Sequence, residues 1–130
     1  MTEHQVMTRS AEDIVTEFCS LWANPDPEEL ATWFTDDAVY HNIPMPPAEG
    51  REAIKEFIAG FTGAFDGIDF KVHRQVSAGD VVMNERTDVM RKKGGGEVAL
   101  PVMGVFEVRD GKIAVWRDYF DLATVTAAFG

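Results

Sequence analysis

The chain has 130 residues, 45% hydrophobic and 26% charged, with a formal net charge of −10 at pH 7. That size suits one domain with one core, spanning residues 1–130, and the composition is ordinary for a globular protein. The negative charge argues against nucleic acid or an anionic membrane as a partner.

A lone cysteine, Cys19, allows no intrachain disulfide and points to an intracellular, cytoplasmic protein. The leading "MTEHQVMTRS" carries no apolar signal region, and no stretch reaches bilayer-spanning length. Three scattered histidines and one cysteine give no metal-ligand spacing, so neither a metal nor a cofactor is expected. "KKGGGE" opens no helix and reads as a hairpin turn rather than a phosphate loop.

In chain order, Ser10 to Asp13 resembles a capping box, and Ile14, Val15, Phe18, Cys19, Leu21 and Trp22 follow at helical spacing. Cys19 in that stripe reads as a packing thiol. "NPDPEELATWF" repeats the signal, with Asp26 as cap, Pro27 in the first helical position and Leu30, Trp33 and Phe34 as an apolar stripe. "AVYHN" is a short strand stopped by the proline-rich "IPMPPAEG". Arg51 to Phe61 is a third helix, with Ile54, Phe57, Ile58 and Phe61 on one side.

Strands follow over 68–78, 81–91, 97–109 and 112–120, the last two joined by an Asp110-Gly111 turn, and "LATVTAAF" closes as a short helix. Helices first and an antiparallel meander after them make an α+β fold. The expected shape is a cone: a curved, mainly antiparallel sheet on three N-terminal helices, with a pocket at its open mouth.

Three strands place polar residues on rows that otherwise look buried. Alternation groups Val82, Asn84, Arg86, Asp88 and Met90 on one face, and sets Asp118 between Trp116 and Phe120. Tyr40 and Asn42 share a face of the first strand, with His41 opposite. A carboxylate on an apolar wall is costly unless paired or protonated. Two carboxylates with one arginine carry a net −1, which drives one acid toward its neutral form. One ionised and one neutral acid are what general acid–base catalysis needs. Taken singly, each residue also fits a plainer role: a solvated cross-strand ion pair, a core tyrosine or a turn asparagine. His41 and His73 read as structural.

At these residues the chain resembles the limonene-1,2-epoxide hydrolase family. The likeness lies in "VYHNIPMPPAEGREAI", "NERTDVMR" and "MGVFEVRDGKIAVWRDYFDL", in order and at matching spacing. The resemblance implies a nuclear-transport-factor-2-like (SnoaL-like) fold and catalysis by Asp118, Arg86 and Asp88, with Tyr40 and Asn42 holding a water. It also implies a homodimer formed through the sheet. A small lipophilic epoxide would be opened in one step to a vicinal diol. Strand parity lines its apolar cup with Met90, Leu100, Val102 and Phe120, and the helical side adds Trp22, Phe61 and Phe65. Two other functions compete: an isomerase or cyclase of the same superfamily, with Asp88 and Tyr40 serving an enolate, and a non-catalytic ligand-binding module. The outer sheet face, with Met83, Val89, Met103, Val105, Val115 and Tyr119 around Arg117 and Glu107, is the expected dimer surface.

Overall fold

The computed structural model of the protein describes residues 9–129; the stretch 1–8, read above for a leader, lies outside the described residues. Helix α1 (Ala11–Leu21) starts at Ser10, whose side chain accepts from the Asp13 amide at 3.0 Å. Such a cap stabilises a helix by about 1 kcal/mol. The stripe Ile14, Val15, Phe18, Cys19 and Trp22 turns inward and is buried.

Helix α2 (Pro27–Ala31) is capped by Asp26, but it is shorter than the sequence pattern predicts. Trp33 and Phe34 do not extend it. The Thr32 hydroxyl donates to the Glu29 carbonyl at 2.6 Å, closing the last turn. The Trp33 carbonyl then accepts from the Ile113 amide at 2.8 Å, and Phe34 opens strand β1 (Phe34–Asn42). An unforeseen two-residue strand, β2 (Ala48–Glu49), follows within the proline-rich stretch. Helix α3 (Arg51–Thr62) matches the predicted third helix.

Strands β3 (Phe65–Ala78), β4 (Val81–Lys92), β5 (Glu97–Arg109) and β6 (Lys112–Tyr119) form the meander, and α4 (Leu122–Phe129) ends the described chain. Strand β3 begins three residues earlier than the pattern implied, so Phe65 belongs to the sheet and not to the helical side. The sheet order is β2-β1-β6-β5-β4-β3, antiparallel throughout except for the β1–β6 pair. The result is an α+β fold with a curved six-stranded sheet around α1.

Trp116 occupies the centre of the core at 0% exposure. Tyr40 stacks on it at 4.2 Å, Phe106 stacks at 5.2 Å, and Phe18 meets it edge-on at 5.2 Å. This aromatic block fixes β1, β5, β6 and α1 relative to one another, so side chains standing on it have little freedom.

The outer face of the sheet exposes Met83, Met103 and Tyr119 at 43%, 44% and 45%, while Val105 and Val115 are half-buried. Arg117 and Glu107 pair there at 2.9 Å. Val89 departs from the expected row: only 9% exposed, it is already covered within one chain. No helix among the described residues is long and apolar enough to cross a membrane.

Candidate active site

Strand alternation on the inner face delivers Arg86 and Asp88 from β4, Asp118 from β6, and Tyr40 and Asn42 from β1. Arg86 is the hub. Its Nε donates to Asp88 Oδ1 at 2.7 Å, and Nη2 donates to Asp88 Oδ2 at 3.2 Å and to Asp118 Oδ2 at 2.6 Å. Nη1 donates to Asn84 Oδ1 at 2.9 Å. A planar fork with five N–H donors makes all four contacts at once; an ammonium, with three donors, cannot.

The remaining oxygen of Asp118, Oδ1, accepts from Trp116 Nε1 at 2.7 Å. Both oxygens of Asp118 thus meet short donor contacts, which favours its ionised form, whereas one oxygen of Asp88 has only the longer 3.2 Å contact. The guanidinium carbon lies 4.5 Å above the Phe70 ring, a cation–π contact that helps a charge with 0% side-chain exposure remain charged.

Electrostatics follow from burial. Asp88 is raised from 3.8 to about 6, by burial first and by the Asp118 charge in addition, against the opposing pull of Arg86. Asp118 is also raised by burial, while Arg86 and the Trp116 donor work against the shift. Burial opposes the Arg86 charge, but the two carboxylates outweigh it and raise its pKa. Burial lifts Tyr40 as well, keeping its phenol neutral. Cys19 is pushed up to about 12, again by burial, and remains a thiol.

Above the triad lies a cavity of about 210 Å³. Tyr40, Asn42, Asp88 and Asp118 form its polar part, and Trp22, Phe61, Phe65, Met90, Leu100, Val102 and Phe120 all line it. Arg86 is absent from the wall and sits beneath it, behind the carboxylates. The volume is below the roughly 300–1,000 Å³ of drug-sized pockets, so a compact apolar ligand fits best. Tyr40 donates its hydroxyl proton to Asn42 Oδ1 at 3.3 Å. That orients the asparagine NH2 away from the tyrosine.

The two histidines stay out of this group. His41 Nε2 meets the Met45 carbonyl at 2.9 Å, and His73 Nε2 meets Thr87 Oγ1 at 2.8 Å. No group of three or more metal-ligating side chains is found among the described residues. Sequence reasoning missed Met45, Phe57, Ile68, Phe70 and Val125 in the cavity wall. Within the predicted strand 68–78, pairing with β4 sets Ile68 opposite Met90 and Phe70 opposite Asp88, so inner-row parity reaches both.

Residues 15–116 match the SnoaL-like domain family, and the chain belongs to that family, in its limonene-epoxide-hydrolase-like branch. The chain is 35% identical over 108 residues to epoxide hydrolase EphG of Mycobacterium tuberculosis, a match covering 83% of this chain and 71% of that protein. It superimposes on the structure of a Mycobacterium tuberculosis epoxide hydrolase of the same kind with a TM-score of 0.78 and 32% identity, covering 90% of this chain and 86% of the other. A hypothetical protein with a ketosteroid-isomerase-like fold from Catenulispora acidiphila, solved with trimethylamine, reaches the same TM-score of 0.78 at 26% identity, covering 88% and 90% of the two chains. Likeness of fold alone does not set the chemistry, and function has to be argued from the site.

Proposed function

We propose that the protein is a cofactor-independent epoxide hydrolase that adds water to a small lipophilic epoxide, of the limonene-1,2-epoxide kind, in one step. The observation that carries this reading is the single guanidinium shared by two buried carboxylates at the floor of an apolar cavity. Asp118, ionised, takes a proton from a water. That water gives its other hydrogen to the Tyr40 oxygen and receives one from the Asn42 amide, leaving a lone pair free to attack a ring carbon. Asp88, protonated, gives its proton to the epoxide oxygen as the carbon–oxygen bond breaks.

The set begins with Asp118 ionised and ends with Asp88 ionised. Its net charge is the same before and after, so Arg86 compensates whichever acid is charged. The apolar wall holds the epoxide against the water and excludes competing solvent, which lowers the entropic part of the barrier.

The isomerase or cyclase alternative fits less well. An enolate is stabilised by neutral donors in an apolar site, and here the floor is formed by two acids already bound to an arginine beneath them. A module that only bound ligands would gain nothing from a buried pair of acids, whose burial is unfavourable. Incubation with cyclohexene oxide and with limonene oxide, followed by product analysis, distinguishes the three readings. Vicinal diols are expected; recovery of unreacted epoxide or of rearranged carbonyl products would reject the hydrolase reading.

A further inference from the structure

Cross-strand register aligns Gln75, Asn84, Gly104, Asp118 and Asn42 in one row over β3, β4, β5, β6 and β1. Four members of the row are polar and the fifth is glycine. Arg86 starts outside this row, opposite Val102, and its guanidinium leans back over Gly104 to reach Asp118. A Cβ at position 104 would overlap Arg86 Nη1 and stand 2.9 Å from both Asn84 Oδ1 and Asp118 Oδ1. Gly104 has no positive φ, so room, and not backbone conformation, is what the glycine supplies.

Asn84 is 0% exposed, and each end of its amide has a partner. Oδ1 accepts from Arg86 at 2.9 Å, Nδ2 donates to Gln75 Oε1 at 3.1 Å, and Gln75 Nε2 donates to Thr16 Oγ1 at 2.9 Å on the exposed side of α1. Two partners fix the amide orientation together, because a flipped amide would set two donors face to face at Arg86 and two acceptors face to face at Gln75. An amide also holds the guanidinium without adding a third carboxylate around one arginine.

We propose that Asn84 and Gly104 are positioning residues of the acid–base set: Gly104 leaves the gap through which the β4 arginine reaches the β6 aspartate, and the Asn84 amide, set by Gln75, locks the guanidinium across it. This rests on the hydrolase reading given above. The ionisable groups facing the guanidinium are Asp88 on its own strand, Asp118 on β6, Cys19 on α1 and Tyr40 on β1. Burial keeps the last two neutral, so the two aspartates alone titrate beside it in the working range.

Asn84→Asp keeps the shape and adds a charge. It moves both limbs of the pH profile of kcat to higher pH, since a third carboxylate competes for Arg86 and disfavours ionisation of the other two. Gln75→Leu, at a half-buried position outside the cavity wall, removes one of the two partners that hold the amide and lowers kcat on the order of ten-fold with KM unchanged. Gln75→Glu keeps an acceptor and recovers most of the turnover. Gly104→Ala displaces the guanidinium and abolishes turnover. Carbon-13 NMR titration of the aspartate carboxyls follows the same shifts without substrate. If the wild-type protein opens no epoxide, the reaction assignment falls, and the carboxyl titration still decides the positioning. Unmoved carboxyl titration in Asn84→Asp overturns the role of Asn84, and wild-type kcat in Gln75→Leu does the same should Asn84→Asp fail to fold. Wild-type turnover in Gly104→Ala overturns the role of Gly104.

Discussion

Asp88→Asn separates the chemistry of the site from its stability. Burial raises the Asp88 carboxyl from 3.8 to about 6, so between those values the folded protein holds a proton that the unfolded chain has released. Stability therefore falls as pH rises through that interval. At ~1.4 kcal/mol per pH unit, the shift amounts to about 3 kcal/mol by neutral pH. Asparagine cannot ionise and removes the penalty. The stability of the variant relative to wild type is thus expected to rise by about 3 kcal/mol from pH ~4 to pH ~7, or roughly 10 °C in melting temperature. Over the same range, diol formation falls by about 10²- to 10⁴-fold, because the proton donor to the epoxide oxygen is gone. Calorimetric melts at several pH values, with gas-chromatographic diol assays, measure both. A melting difference that stays constant with pH would show that Asp88 carries no proton, and surviving turnover would show that it is not the acid.

Asp118→Asn removes the base and should cost as much activity as Asp88→Asn, within about ten-fold, as measured by initial rates on cyclohexene oxide. Since Asp88 is raised to about 6, its acid form is lost above that value, and kcat/KM is expected to fall on the alkaline side. Arg86→Lys should lose most activity, because one ammonium cannot reproduce four contacts to two acids and an amide. Tyr40→Phe and Asn42→Ala should lower kcat more than they change KM, as water-holding groups do; a change in KM alone would make them substrate contacts. The exposed outer row of Met83, Met103 and Tyr119 predicts a homodimer through that face. Light scattering reads its mass, and Tyr119→Asp should dissociate it.

Much of this architecture is legible in the sequence, because alternation and helical periodicity are local. Both signals place α1, α3 and the four long strands, and alternation alone puts Asp88, Arg86 and Asp118 on inward rows. The end of α2 is not legible, since Trp33 and Phe34 suit a helical stripe and a buried strand equally well; Thr32 and the partners of the next strand decide it. Strand β2 has two residues and no period to detect. Val89 shows the limit of parity: its row faces outward, yet the chain covers it. Alternation already sets Asn84 on the row of Arg86, but Gly104 is harder. Its placement between Asn84 and Asp118 depends on the register of three strands, which no single strand's pattern contains.

In the proposed mechanism water, and not a protein carboxylate, attacks the epoxide while Asp118 takes a proton from that water and Asp88 gives one to the epoxide oxygen. A single turnover in oxygen-18 water, with enzyme in excess over cyclohexene oxide, tests it directly. The expected result is one labelled oxygen in every diol formed in that first turnover and none in the peptide containing Asp118. First-turnover diol carrying unlabelled oxygen, with the label found later in an aspartate, would mean a covalent ester and contradict the mechanism.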